Sequence, residues 1–462
     1  MKLVLLSGGS GKRLWPLSND TRSKQFLKVL EGVNGEKQSM VQRVWGQLEA
    51  VNLSNHAVIA TSKMQIDMIQ SQIGLNVPLI IEPERRDTFP AIALAASYLY
   101  SIQGVSEEEV ISVLPVDPFV ENSFFEKVKE LESVLVGSES DLALIGVTPT
   151  YPSSKYGYII PEAEEGYQSY LTVSHFTEKP SEERAQVLIE MSGLWNCGVF
   201  AFKLRYIIDI LIEKGLPIQY DELLNQFSTL PKISFDYEVV EKAKKIVALP
   251  YNGDWKDLGT WNTLTEEMAT KQIGKGIISE DSNNTHLVNE LEIPVTILGI
   301  KDSVVAVSPD GILVTDKVSS PKVKELIKDF NHPPMYEERV WGWSRVLDYA
   351  TYDDGQEMVT KRICINEGKN SSYHYHNIRD EVWTIVKGEG ELALDDHLTR
   401  VKAGDIIHLP RGKKHCIRAI SNLEFIEVQT GIGISDEDFT RLYFEWDEVL
   451  EHFQMTKAKI IL

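Results

Sequence analysis

From residue 1 to about 265, short apolar runs alternate with amphipathic stretches, and no other feature constrains the fold as strongly. Leu3–Ser7, Ala57–Ala60, Leu79–Ile81, Val110–Leu114 and Leu142–Val147 are too short for helices. They are predominantly apolar, as strands buried on both faces are. Between them, Asn122 is placed to cap a helix whose Phe124, Val128, Leu131 and Leu135 fall on one face. Strands alternating with helices imply an α/β domain with a mostly parallel sheet covered on both sides.

The pattern then changes. Ile293–Ile300, Ser303–Ser308 and Gly311–Thr315 are short β-like runs separated by Asp and Gly turns. The amphipathic stretch Lys322–Phe330 leads into Asn331-His332-Pro333-Pro334, a linker candidate. Residues 336–440 then carry closely spaced strands with little helical periodicity, as in a β-barrel or sandwich. The expected division is residues 1–265, a β-rich connecting segment at 266–333, and an all-β domain at 334–462. A chain of 462 residues is long enough for three such parts at ~150 residues per domain.

The net charge of −21 disfavours nucleic acid or an anionic membrane as partner. An anionic small substrate remains compatible, because local Arg, Lys and a bound cation reverse the field inside one cleft. No window approaches the ~20 apolar residues that span a bilayer. Met1–Leu6 is too short for a signal-peptide core and reads as a buried first strand. Cys197, Cys364 and Cys416 are far apart and form no CxxC, which points to a reducing cytoplasm.

After the first strand comes Ser7-Gly8-Gly9-Ser10-Gly11-Lys12-Arg13-Leu14-Trp15-Pro16-Leu17. Glycines at this point let backbone N–H groups approach phosphate oxygens. A P-loop is excluded, because Arg13 stands where Ser or Thr must follow the Lys. A dinucleotide fingerprint is excluded by Leu14 in place of its third Gly. Gly8-Gly9-x-Gly11-x-Arg13-Leu14-Trp15-Pro16-Leu17-Ser18, followed by Lys24-Gln25-Phe26-Leu27, closely resembles the signature of sugar-nucleotide pyrophosphorylases. Within them it is similar to the mannose-1-phosphate guanylyltransferase branch. Ser23 stands where that family has Pro. The resemblance implies a Rossmann-like (GT-A type) nucleotidyltransferase domain in which Arg13 and Lys24 offset triphosphate and transition-state charge.

Further blocks resemble the family in the same order. Glu82-Pro83-x-x-Arg86-Asp87-Thr88-x-Pro90-Ala91 looks like the block near the base, with Asp87 in place of Asn. The resemblance implies that Asp117 and Asp257 hold Mg²⁺, and that the loop of Gly157 lies on the sugar side. It also implies that Glu178 and Asn196 meet sugar hydroxyls and that Lys179 meets the sugar phosphate. Two carboxylates and phosphate oxygens suit a hard cation that keeps waters.

In the last domain, Gly368-(x)5-His374-x-His376-(x)4-Glu381-(x)6-Gly388 is followed by Gly404-(x)5-Pro410-x-Gly412-(x)2-His415. On a strand, His374 and His376 point to one face. Glu381 and His415 complete a set suited to Zn²⁺, Mn²⁺, Fe²⁺ or Ni²⁺. His408 falls outside that pattern and reads as structural, and His397 as part of an exposed turn. Both halves together look like a cupin (jelly-roll) signature. Guanylyltransferases of this kind often carry such a domain as a type II phosphomannose isomerase. Arg379, Trp383 and Glu427-Val428-Gln429-Thr430-Gly431 match that family, with Arg379 implied at substrate. Asn377, Ile378 and Val382 replace three His, removing candidate proton-transfer groups.

The resulting expectation is an enzyme that makes GDP-mannose from GTP and mannose 1-phosphate, as a homodimer. Its cupin is either a mannose-6-phosphate isomerase or a metal- or ligand-binding module. The base, the sugar and the cupin metal stay open.

Overall fold

A computed structural model describes residues 1–9, 12–32, 34–162, 169–330, 334–395, 397–435 and 438–460, with side chains to residue 454. Gly11 and the linker residues 331–333 lie outside the described residues.

The apolar runs of the first domain build one nine-stranded sheet. Its order is Leu79–Glu82, Ala57–Ser62, Lys2–Ser7, Val110–Pro115, Leu194–Lys203, Leu142–Val147, Ile246–Tyr251, Leu171–Thr177 and Tyr158–Pro161. Strand side chains alternate between faces, and the first strand shows the consequence. Leu3 and Leu5 enter one buried cluster with helices Met40–Ala50 and Asn122–Ser138. Val4 enters the other, with helices Thr88–Ser101 and Leu204–Glu213. The helix face Phe124, Val128, Leu131 and Leu135 is buried as expected. Asn122, however, begins that helix rather than capping it: Glu121 is the N-cap residue. The Asn122 Oδ1 accepts from Gln47 Nε2 at 3.0 Å instead.

The expected mostly parallel sheet holds through its first four strands and the Leu142–Val147/Ile246–Tyr251 pair. It is interrupted by Leu194–Lys203, which runs antiparallel to both neighbours. Between Asn196 and Phe200 its register against Leu142–Val147 shifts through a bulge.

The segment expected only to connect shares a core with the first domain. Val288, Val304 and Ala306 pack with Leu14, Leu17, Leu27, Leu258 and Trp261 in one cluster. Trp261 Nε1 and Ser308 Oγ donate to the carbonyls of Trp15 and Pro16, at 3.0 and 2.6 Å. Arg22 forms a two-pronged pair with Glu290 at 2.9 and 2.8 Å. The β-rich segment therefore backs the Leu-Trp-Pro-Leu stretch that follows the glycine loop.

The last domain is two antiparallel sheets enclosing a core of Ile363, Trp383, Ile385, Leu392, Ile417 and Phe425. A final helix, Trp446–Ile460, covers the outside of the second sheet through Trp446, Val449 and Phe453. Its first strand, Tyr336–Arg339, docks on the first domain. Arg339 pairs with Asp67 at 2.7 Å, Glu338 with Lys28 at 2.9 Å, and Tyr336 lies under the Arg22 guanidinium.

Candidate active site and metal centre

In open α/β sheets, ligands bind beyond the carboxyl ends of the parallel strands. Strand Lys2–Ser7 ends at Gly8-Gly9, and its parallel neighbour Val110–Pro115 ends just before Asp117. A cavity of about 330 Å³ opens there, lined by Gly8, Gly9, Glu82, Asp87, Asp117 and Asp236 among others. The loop is tied back by polar side chains. Ser23 Oγ donates to the Gly9 carbonyl at 2.6 Å, and Gln65 Nε2 donates to Ser23 Oγ at 2.6 Å. Ser23, in the place of the family's Pro, thus fixes the loop by hydrogen bonding.

Asp117 and Asp257 are 140 positions apart in the chain, yet they meet. Strand Trp255–Asp257 pairs antiparallel with Pro118–Val120, setting Asp257 opposite Pro118, the residue after Asp117. Arg43 Nη2 and Gln47 Nε2 donate to the Val120 carbonyl at 3.2 and 3.0 Å and anchor this two-stranded sheet. Lys24 Nζ sits between the two carboxylates, 2.9 Å from Asp117 and 2.7 Å from Asp257. Burial alone would lower the Lys24 pKa, but the two carboxylates raise it. Burial alone would raise Asp257, but Lys24, Arg13 and Lys155 hold it below the usual carboxylate value. Arg13 is exposed and close enough to act electrostatically on Asp257. A hard, all-oxygen donor pair that already holds a cationic group fits Mg²⁺.

The residues expected on the sugar side converge beside the cavity and reach its lining through Asp236. A Cβ on Gly157 would lie 2.5 Å from Glu178 Oε2 and 2.5 Å from Phe176 Cζ, so only glycine fits beneath Glu178. Gly157 also accepts at its carbonyl from Asn196 N, at 2.8 Å. Lys179, at a left-handed φ of 45°, donates to Glu178 Oε1 at 2.5 Å. Asn196 is buried; its Nδ2 donates to Asp236 Oδ1 at 2.7 Å, and its Oδ1 accepts from Gly198 N at 3.1 Å. Tyr156, Trp195 and Trp255 form an aromatic wall with centroid separations of 5.0 and 5.4 Å from Tyr156. Trp261 is pure core.

Two acidic cavity residues lay outside the expected set. Burial pushes Glu82 up to about 7 against the pull of Arg85. It sits in the quoted Glu-Pro block, so a strand-end acid was the available signal. Burial, then Glu178, pushes Asp236 up to about 7 as well. Nothing local marks Asp236, because its partner Asn196 lies 40 positions away. Asp87 is exposed, with φ 69°, and its carboxylate accepts from Thr88 N at 2.8 Å at a helix start. Asn could make the same cap, which accounts for the exchange.

The cupin ligands come together as the spacing implies. Ligand atoms of His374, His376 and His415 lie within 4.8 Å of one another, all buried. The Nδ1 atoms of these three face the carbonyls of Ser372, Asp438 and Lys413. That contact fixes each ring and leaves Nε2 toward the cluster. Glu381 lies 3.3 Å from His376 Nε2 and 3.6 Å from His415 Nε2. Burial opposes its ionisation, but His415, His376 and Arg379 hold it far below the usual carboxylate value. His415 Nε2 is buried with no hydrogen-bond partner, an orphan that a metal ion would satisfy. Burial first, then the neighbouring histidines, lowers His374, so that it is a neutral ligand at pH 7.

Arg379, expected at substrate, sits beside the histidine cluster. It is buried, donating to Glu381 Oε1 at 2.9 Å and Ser435 O at 3.1 Å, with Nη2 3.1 Å from His376 Nε2. It thus contacts two of the expected metal ligands, Glu381 and His376. Ile378 and Val382, at positions where the family carries His, are 38% and 36% exposed. Their side chains face away from the cluster, so their exchange removes nothing from the metal centre. His408 and His397 are exposed and take no part.

A strand-end glycine loop and paired aspartates beside a cavity are the arrangement of a nucleotidyltransferase site. A family model for nucleotidyl transferase matches residues 2–272, and a cupin domain model matches residues 361–429. The chain belongs to the nucleotidyl transferase family. Its full-length relatives include a mannose-1-phosphate guanylyltransferase of Salmonella montevideo, 29% identical over 95% of this chain and 98% of that one. A putative mannose-1-phosphate guanylyltransferase of Vibrio cholerae serotype O1 is 30% identical, over 95% and 98%. Among solved structures, one described as mannose-1-phosphate geranyltransferase from Thermus thermophilus superposes with a TM-score of 0.58 at 27% identity. It covers 71% of this chain and 98% of its own.

Proposed function

We propose that the chain transfers a guanylyl group from GTP to mannose 1-phosphate, releasing pyrophosphate and forming GDP-mannose. The observation that carries this reading is the pairing of Trp255–Asp257 with Pro118–Val120. It brings two carboxylates around one cation at the mouth of a cavity floored by a glycine loop. The sugar phosphate oxygen attacks the α-phosphorus in line, and pyrophosphate departs. That oxygen is already ionised, so positioning and charge neutralisation carry the rate. The backbone of Gly8, Gly9 and Gly11 takes phosphate oxygens, Arg13 and Lys24 offset the triphosphate, and Lys179 meets the sugar phosphate. Glu178 and Asn196 hold sugar hydroxyls. Asp117 and Asp257 would hold Mg²⁺, which supplies charge neutralisation at the phosphates. At the base end, the ionised form of Glu82, beside Gly8, offers acceptors to the N1–H and 2-amino donors of guanine.

A pyrophosphate-release screen of the full chain over four nucleoside triphosphates and several hexose 1-phosphates tests this. The expected result is highest kcat/KM for GTP with mannose 1-phosphate; a preference for another base or sugar overturns that specificity.

The second reading concerns the cupin and is favoured by the orphaned His415 Nε2 within the histidine cluster. We infer that His374, His376, Glu381 and His415 hold Zn²⁺ or another divalent transition metal. The domain then interconverts mannose 6-phosphate and fructose 6-phosphate. Three free, buried cysteines suit a reducing cytoplasm, and no described helix is long and apolar enough to cross a membrane. The expected homodimer belongs to the same proposal. It is supported by Ile312 and Val314, exposed along the strand Gly311–Asp316.

A further inference from the structure

Asp236 belongs to the short helix Phe235–Glu238 and lines the same cavity as Gly8, Glu82 and Asp117. Its placement is rigid. Phe235 is fully buried against Phe200 and Phe202, with ring centroids at 4.9 and 5.7 Å, and its N–H donates to Thr88 Oγ1 at 2.8 Å. One carboxyl oxygen is taken by Asn196 Nδ2. Glu178 and Lys179 act on it electrostatically.

We propose that Asp236 is a specificity-determining residue of the transferase, hydrogen-bonding a ring hydroxyl of the hexose 1-phosphate together with Glu178 and Asn196. The inference rests on the reading of that wall as the sugar side. Two neighbouring ionised carboxylates would repel an incoming phosphate, and the cation beside them, Lys179, is engaged by Glu178. Burial and Glu178 raise Asp236 to about 7, so its neutral form is well populated near pH 7. The pair then presents one O–H donor and one acceptor, which matches vicinal hydroxyls without adding a second negative charge.

The test is steady-state kinetics of the full chain with Asp236→Leu and Asp236→Asn, each checked by thermal melting. Losing a buried hydrogen bond to a substrate hydroxyl predicts a rise of roughly 10-fold or more in the sugar 1-phosphate KM for Asp236→Leu. The GTP KM should stay near wild type, and discrimination between mannose and glucose 1-phosphates should fall. Asp236→Asn keeps a neutral donor and should lie between Asp236→Leu and wild type. Equal rises in both KM values, a rise in the GTP KM alone, or no change in a folded variant overturns the proposal while leaving the transferase reading intact. A wild-type protein that turns over no hexose 1-phosphate overturns both. If Asp236→Leu does not fold, Asp236→Asn alone decides, through its epimer discrimination: unchanged discrimination refutes the role.

Discussion

Lys24 holds a position that a metal ion would contest, since its ammonium is within 2.9 Å of both carboxylates that would ligate Mg²⁺. The two cations compete for one pair of charges. Lys24→Met is therefore expected to bind Mn²⁺ more tightly than wild type without nucleotide, by electron paramagnetic resonance, while losing turnover. Weaker Mn²⁺ binding in that variant would place the metal elsewhere. Asp117→Asn and Asp257→Asn each remove metal affinity and charge balance, and each should cut turnover by at least ~100-fold. The fold should survive, because neither side chain belongs to a buried apolar cluster. Near-normal pyrophosphate release at saturating Mg²⁺ would refute the assignment.

Among the elements, the β-rich segment carries a pH liability. His286 is buried on strand His286–Asn289, its Nδ1 has no partner, and burial, then Lys317 and Lys271, lowers it to about 4. The unfolded chain binds a proton near the ordinary value of ~6.5, whereas the folded one does not until about 4. Stability from this group is thus fully present above ~6.5 and falls as pH drops toward about 4. Thermal melts between those pH values should show the loss, and His286→Leu should flatten it; an equally steep fall in the variant would assign the effect to other groups. The two-stranded sheet holding Asp257 beside Asp117 depends likewise on a neighbouring element, through Arg43 and Gln47.

At the scale of the molecule, the domains meet through Arg339–Asp67, Lys28–Glu338 and Arg22 over Tyr336. None of these residues lines the transferase cavity. Residues 1–330 alone are expected to form a soluble, active transferase, because the β-rich segment that backs the loop stays with the first domain. A truncation folded by circular dichroism but inactive would mean that the cupin completes the site. The cupin itself should retain about one transition metal per chain, as four ligands at cupin spacing imply. His376→Ala should lose it, read by elemental analysis, together with metal-dependent isomerase activity. Equal mannose-6-phosphate isomerisation by both proteins would leave a binding module.

What the sequence determined by itself was local and periodic. Leu3–Ser7 and Leu142–Val147 were legible as strands because burial on both faces leaves an unbroken apolar run. The closeness of His374 and His376 was legible because a strand puts i and i+2 on one side. The antiparallel course of Leu194–Lys203, the shared core of residues 14–306 and the meeting of Asp117 with Asp257 were decided only by tertiary structure. Each depends on pairing or packing between residues remote in the chain, and periodicity carries no record of partners. The same reason hid Asp236, whose raised pKa comes from burial and from Glu178, 58 positions earlier. It also hid the outward direction of Ile378 and Val382. A motif lists residue types, but only the folded backbone says which of them face the site.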